Sequence, residues 1–324
     1  MMEFKILYNN LFNPTLLFFL LGIVATRLKS DLQIPESSSK FISLYLLFSI
    51  GFKGGQELAH STFNNEIVYS LLFGLALSAL IPLYTFFILK RRLTISDAVA
   101  VSASYGSVSA VTFVAAVSFL EMEKIHSGGH MVAVMALMES PAIIVAVMLM
   151  MNFDKEKSEA GNVNFKSVIH HAFTNGSVIM ILGSLLIGFI ADSKQAEGIK
   201  PFTTDIFKGF LAIFLLEMGI VTAKRFSAFK QYGGFVTGFA IVVPAINGCL
   251  AAYLSQFVTD EPGNRFIFAT LAAGASYIAV PAAMRLAAPK ADPGLYVPMA
   301  LGVTFPFNIA VGMPLYFAVV NHFH

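Results

Sequence analysis

Two acids and a serine-rich stretch are the residues of this chain best placed to do chemistry. Glu139 lies in Leu137-Met138-Glu139-Ser140-Pro141 and Glu217 in Leu215-Leu216-Glu217-Met218-Gly219, each in the middle of a long apolar run. An ionisable group held in hydrocarbon is costly and is functional by default. No basic residue occurs at matching depth, Lys208 near one end of its run excepted, so each carboxylate invites a cation. Sodium or a proton would serve, with hydroxyl and carbonyl oxygens completing a hard-cation shell. Glu139 is the stronger candidate, because Pro141 frees nearby carbonyls, whereas Glu217 could simply face a water-filled cavity. Ser104, Ser276 and Asn308 are polar groups placed to complete the shell, although Asn308, like Asn247, serves equally well as an interhelical hydrogen bond.

The serine-rich stretch is Ser102-Ala103-Ser104-Tyr105-Gly106-Ser107-Val108-Ser109-Ala110, at the middle of another apolar run. Glycine weakens a helix and permits a break. The backbone N–H groups freed at such a break, together with the dipole of the half-helix that follows, make an anion site. Ser107 and Ser109 add hydroxyl donors. The plainer reading is that small residues let helices pack closely. A second stretch, Gly274-Ala275-Ser276-Tyr277-Ile278-Ala279-Val280-Pro281-Ala282-Ala283, repeats the feature, and Pro281 fits the first turn of a second half-helix. Its plainer reading is an ordinary proline kink. If both segments break, two half-helix N-termini converge and favour a small anion.

The elements that must position these groups are transmembrane helices. The 324 residues are 56% hydrophobic and only 12% charged, too few charges to cover a soluble surface. The apolar residues fall into ten segments, at about 14–28, 41–56, 67–89, 97–120, 131–151, 175–191, 203–221, 233–257, 265–288 and 295–320. Most are long enough for ~30 Å of hydrocarbon, and helix is the default there. The polar Asn152–Lys166 stretch reads as a linker, dividing residues 1–151 from residues 168–324 across a linker of 152–167. Lys and Arg number six on the N-terminal side of these spans and fourteen on the other, so both termini face out and the linker is cytoplasmic. The residues before the first segment are polar and no cleavage site follows it, so that segment is expected to stay in the membrane. Cys249 is the single cysteine and excludes an intrachain disulfide.

The two halves resemble each other. Leu21-Gly22 returns as Ile187-Gly188, Pro35 as Pro201, Pro82 as Pro244, Ala103-Ser104-Tyr105 as Ala275-Ser276-Tyr277, and Pro141 as Pro306. Five matches in order, spaced by 162 to 172 residues, indicate an internal repeat. Five spans per repeat is an odd number, so the second copy enters the membrane inverted, as in many secondary transporters. The fold class expected is therefore an all-α integral membrane protein, with ten transmembrane helices as two inverted five-helix repeats and breaks in helices 4 and 9. No Walker A sequence, nucleophile elbow or HExxH zinc motif occurs, so neither ATP-driven transport nor an enzyme is expected. No basic tract suits a nucleic acid.

These motifs carry a family resemblance. Tyr105-Gly106-Ser107-Val108-Ser109-Ala110-Val111-Thr112, Met138-Glu139-Ser140-Pro141-Ala142, Tyr277 to Arg285, and Gly302-Val303-Thr304-Phe305-Pro306 with Asn308-Ile309-Ala310 resemble the SbtA-type sodium-dependent bicarbonate transporter family, from about Asn13 to Tyr316. The resemblance implies a gate domain of helices 1, 2, 6 and 7 and a core domain of helices 3–5 and 8–10. It implies a homotrimer in the inner (plasma) membrane and a cytoplasmic PII-like regulatory partner. It places bicarbonate at Gly106, Ser107, Val108 and Ser109 and at Ala279 and Val280. The chain departs from the bicarbonate-transporting pattern at Ala110-Val111, where a Gly-Ser pair is usual, at Tyr277, where an acid is usual, and at Glu139, which stands for Asp.

The expected function is a sodium-coupled symporter of a small anion, bicarbonate foremost, with sodium as coupling ion and no other cofactor. A monovalent anion entering a negative cell is opposed by ~2.3 kcal/mol per 100 mV, and one sodium cancels that charge. The competing expectations are an organic-anion carrier of the bile-acid-symporter type, which needs a wider cavity, and a membrane sensor that binds the anion without moving it.

Overall fold

A long apolar run in lipid or in a packed core must satisfy its backbone within itself, so it settles as helix. The computed structural model describes residues 14–61, 63–153, 170, 173–229 and 233–323, and among them there are helices and no strands. Lys5 and the linker from residue 154 onward, both used in the charge count, lie outside the described residues.

The helices are α1 (Pro14–Arg27), α2 (Glu36–His60), α3 (Asn65–Leu89), α4 (Ile95–Gly106), α5 (Ala110–Glu123), α6 (His130–Phe153), α7 (Gly176–Ile190), α8 (Ser193–Lys200), α9 (Phe207–Phe229), α10 (Gly233–Leu254), α11 (Pro262–Ala272), α12 (Ala279–Ala287) and α13 (Pro293–His322). Each of the ten apolar segments is helical, and the fourth and ninth are each two helices. By length and composition, six helices among the described residues can cross a membrane: Asn65–Leu89, Ile95–Glu123 taken through its break, His130–Phe153, Ser193–Lys224, Gly233–Phe257 and Pro293–His322. Leu17–Arg27 and Gly176–Ile190 are apolar and shorter.

Local chemistry sets the boundaries. Asn64, Thr94, Ser109 and Asn175 each accept a backbone N–H at the start of α3, α4, α5 and α7, satisfying a donor that the helix leaves orphaned. Asp192 and Gln195 form a reciprocal capping box on α8. Two boundaries differ from the apolar pattern. α2 begins at Glu36 rather than near residue 41, because Pro35 presets its entrance and exposed polar residues carry its first turn. α8, with a π-helical turn at Pro201–Asp205, fills what reads in sequence as a charged link. Further π turns in α13, at Met299–Thr304 and Asn308–Gly312, fall beside Pro298, Pro306 and Pro314, where the ring removes a backbone donor and the ladder must shift.

Two helix pairs make the closest approaches. α1 packs along α9, and α2 packs along α7. A Cβ on Gly22 would strike the Leu216 carbonyl, and one on Gly219 the Phe19 carbonyl. In the other pair, a Cβ on Gly188 would strike the Phe52 carbonyl, and one on Gly55 the Leu185 carbonyl. Glycine is required at all four because backbone meets backbone. α3 lies against α4 and α6, and α10 against α11 and α13. The broken helices sit innermost: 89% of the apolar window in Ile95–Glu123 is buried, against 33% in Asn65–Leu89. Irregular backbone survives at depth only where protein encloses it. Arg265, 2% exposed, ties two helix ends together, with Nη2 donating to Ala252 O at 3.1 Å and Nη1 to Phe323 O at 3.3 Å. A cation among terminal carbonyls complements the dipoles of α10 and α13.

Candidate functional site where two broken helices cross

α4 stops because its chain leaves helical geometry at Ser107, with φ −85° and ψ 169°, after Ser107 N–H closes on Ala103 O. Ser109 remains extended and then caps α5 by accepting the Thr112 N–H at 3.2 Å. That cap uses an oxygen lone pair and leaves the Ser109 hydroxyl proton to donate elsewhere. The other break spans residues 273–278. Its Ala273 carbonyl accepts Asn308 Nδ2 at 2.7 Å, and α12 starts at Ala279 with no side-chain cap. Pro281 is the third residue of α12, in the first turn as its sequence context predicts.

The two breaks are bonded to each other. Ser276 N–H donates to Ser104 O at 2.7 Å, and Ser104 Oγ donates to Ser276 O at 2.6 Å. These carbonyl and amide groups are freed by the breaks and would otherwise be buried without partners. Ser104 and Ser276 also occupy matching places in the two similar stretches, so the crossing joins each segment to its own counterpart. Ser104 is fully buried and spends its hydroxyl on this clamp.

Beside the crossing lies a small cavity of about 10 Å³, lined by Val108, Ser109, Ala110, Glu139, Ser177, Ser276, Tyr277 and Ile278. This is about the room needed by one water. It brings together Val108 and Ser109 of the expected anion set and Glu139 and Ser276 of the expected cation set. Ser107 stands just behind, its hydroxyl donating to the Glu139 carbonyl at 3.4 Å. The Glu139 side chain is half-buried, and none of the ion pairs among the described residues includes it. Ala279 and Val280 form the buried first turn of α12, next to Ile278 in the wall. Asn308 does not line the cavity: it holds Ala273 O, and its Oδ1 accepts from Tyr316 Oη at 2.9 Å.

Three placements refine the sequence reading. Gly106 ends α4 without a positive φ, so the break does not use glycine's extra conformational freedom. Its bare Cα instead admits Pro82 of α3, whose ring a Cβ would strike. Lys208, the basic residue near one end of the Glu217 run, reaches Glu121 at 3.6 Å. Glu217 is 9% exposed and stands outside the cavity wall, although Tyr277 links the two regions by donating to the neighbouring Met218 Sδ at 3.6 Å. Asn247 accepts a hydrogen bond from Tyr84, as its interhelical reading expects. Ser177 and Tyr277 line the cavity without having been assigned to it from the sequence; for Ser177 no signal was present. The run Asn175-Gly176-Ser177 marks a helix start, but nothing in its composition says that it faces Glu139.

A sequence profile of the Na+-dependent bicarbonate transporter superfamily matches residues 14–321. The chain belongs to that superfamily. The match covers every helix described above, including both breaks and the cavity wall. No curated protein matches the chain. For a member of the Na+-dependent bicarbonate transporter superfamily, hard oxygen ligands and a backbone break around one small cavity are the parts that a cation and a small anion need. The carboxylate of Glu139 and the hydroxyls of Ser177 and Ser276 fit sodium by ligand type.

Proposed function

We propose that this superfamily member is a sodium-coupled symporter of a small anion, with bicarbonate as the substrate. The observation that carries this reading is the Glu139 carboxylate in the same cavity as the start of α5 and the crossing of the two breaks. The anion is held by freed N–H groups of Val108 to Ala110 and of Ala279 and Val280, with the Ser109 hydroxyl as a further donor. Glu139 holds the sodium, with Ser276 and Ser177 as neighbouring oxygens.

The architecture in this reading is ten spans in two inverted repeats. The glycine contacts support it. Gly22 meets the carbonyl of Leu216 as Gly188 meets that of Phe52, and Gly219 meets Phe19 as Gly55 meets Leu185. Each contact maps onto the other when the halves are exchanged. Helices α1, α2, α7 and α9 then form the gate, and α3 to α6 with α10 to α13 the core. Both termini face outward in the inner membrane. A homotrimer and a PII-like cytoplasmic partner belong to the same reading.

The test is uptake of labelled bicarbonate, nitrate, acetate and taurocholate into proteoliposomes, with and without an inward sodium gradient. Bicarbonate is expected to accumulate only with the gradient. Sodium-driven taurocholate uptake would move the protein to the organic-anion class, and tight binding without flux would make it a sensor. In the same vesicles Ser109→Ala should weaken bicarbonate affinity about tenfold, the loss expected of a hydrogen bond to a charged partner. Unchanged affinity would place the anion elsewhere.

A further inference from the structure

A larger cavity than the one at the crossing lies elsewhere in the protein. A cavity of about 110 Å³ lies at the other end of α5, lined among others by Lys53, Glu57, Phe113, Val117, Glu121 and His126. Three charged side chains meet beside it. Lys53 Nζ of α2 lies 3.0 Å from Glu121 Oε1, and Lys208 Nζ of α9 lies 3.6 Å from Glu121 Oε2. One carboxylate therefore takes both lysines, one on each oxygen. The lysines stand on the two helices that pack on α7 and α1, whereas Glu121 stands on the last turn of a broken helix. Phe207, at the start of α9, lines the same cavity, with Lys53 Nζ 6.0 Å from its ring centre.

We propose that Glu121 is the keystone of an ionic latch that closes this end of the transport path. Lys53 and Lys208 are the groups that tie α2 and α9 to the end of α5 through one carboxylate. The geometry also couples the latch to the small cavity. α5 is one unbroken rod, with the Ser109 cap at its first residue and Glu121 near its last. Twelve residues of helix separate them, ~18 Å at 1.5 Å per residue. A shift of α5 that parts Glu121 from the lysines must therefore also move the Ser109 end of the crossing. Glu121 is a third exposed, Lys53 likewise, and Lys208 more so, so the pairs can be broken by water and re-formed. A latch needs that property, which a deeply buried pair lacks.

What passes the latch rests on the symporter reading, but the latch itself can be tested without transport. Val117→Cys, in a Cys249→Ser background, places the single thiol in the wall of the larger cavity. Purified protein in detergent, with both faces accessible, is treated with a bulky charged maleimide. Glu121→Gln should raise the labelling rate about fivefold, the population shift given by losing an exposed ion-pair network. High salt should accelerate the parent and leave Glu121→Gln unchanged, since only the parent has pairs to screen. Equal rates in parent and Glu121→Gln at both salt concentrations would overturn the latch. If Glu121→Gln does not fold, Lys53→Gln with Lys208→Gln removes the same pairs and is read in the same way. Faster labelling in a protein that takes up no anion would uphold the latch and sink the symporter. Unchanged labelling with intact uptake would do the reverse.

Discussion

Glu139→Gln should raise the sodium concentration needed for half-maximal uptake ten- to a hundredfold, with the protein still folded and still inserted. The amide keeps the volume and one oxygen of the carboxylate but loses its charge, and a charge-assisted contact contributes about 1.5–3 kcal/mol. Glu139 lines the cavity at the crossing and takes part in none of the ion pairs among the described residues, so the variant leaves no lysine or arginine stranded. Glu139→Asp keeps the charge and should recover most of the sodium affinity. Uptake measured against sodium concentration decides the matter. A glutamine variant with the parent's sodium curve would make Glu139 a packing residue and would require another coupling site.

The second large effect concerns assembly. Gly188→Leu should abolish the folded, monodisperse protein, because its Cβ would enter the Phe52 carbonyl and push α7 off α2. Gly22→Leu should do the same to α1 and α9 through Leu216. Backbone cannot yield as the end of a flexible side chain can, so each variant loses a whole helix interface. Gly183→Leu is the internal control, since it lies on the same helix as Gly188 and a Cβ there meets nothing within 4 Å. Size-exclusion chromatography and thermal melting of the three variants give the comparison. Equal losses at Gly22 and Gly188 with a normal Gly183→Leu are the result expected of two equivalent helix pairs. A folded Gly188→Leu, or a Gly183→Leu that fails as badly, would remove the support that these contacts lend to the repeat.

Much of the site was legible before any coordinates, and for specific reasons. Ser107, Val108 and Ser109 were legible because a dense run of small and hydroxylated residues in the middle of a span is a poor helix interior and a good cap. Pro281 was legible because the missing N–H of proline costs nothing in the first turn of a helix that restarts. Glu139 was legible because a carboxylate in hydrocarbon demands an explanation. Gly106 was read for its backbone freedom, yet its role is to admit Pro82 of another helix. Ser177 and Tyr277 were not assigned to the cavity, because the wall they complete joins α7, α6 and the second break, which lie far apart in the chain. The pairing of Lys208 with Glu121 was hidden in the same way.

The lengths of the apolar runs and the placement of small residues and proline indicated helix over the ten apolar segments and breaks in the fourth and ninth, while α8 and the first turn of α2 lay outside that pattern. The helices and breaks so indicated follow from local rules: hydrocarbon leaves the backbone no partner but itself, and proline, glycine and serine act within a turn of where they stand. The tertiary structure decided which groups meet. Ser104 and Ser276 clamp each other across the crossing, Asn308 is spent on the Ala273 carbonyl, and three charges converge at Glu121. Such meetings depend on helix rotations and close backbone approaches set by many contacts at once, and no stretch of sequence encodes them locally.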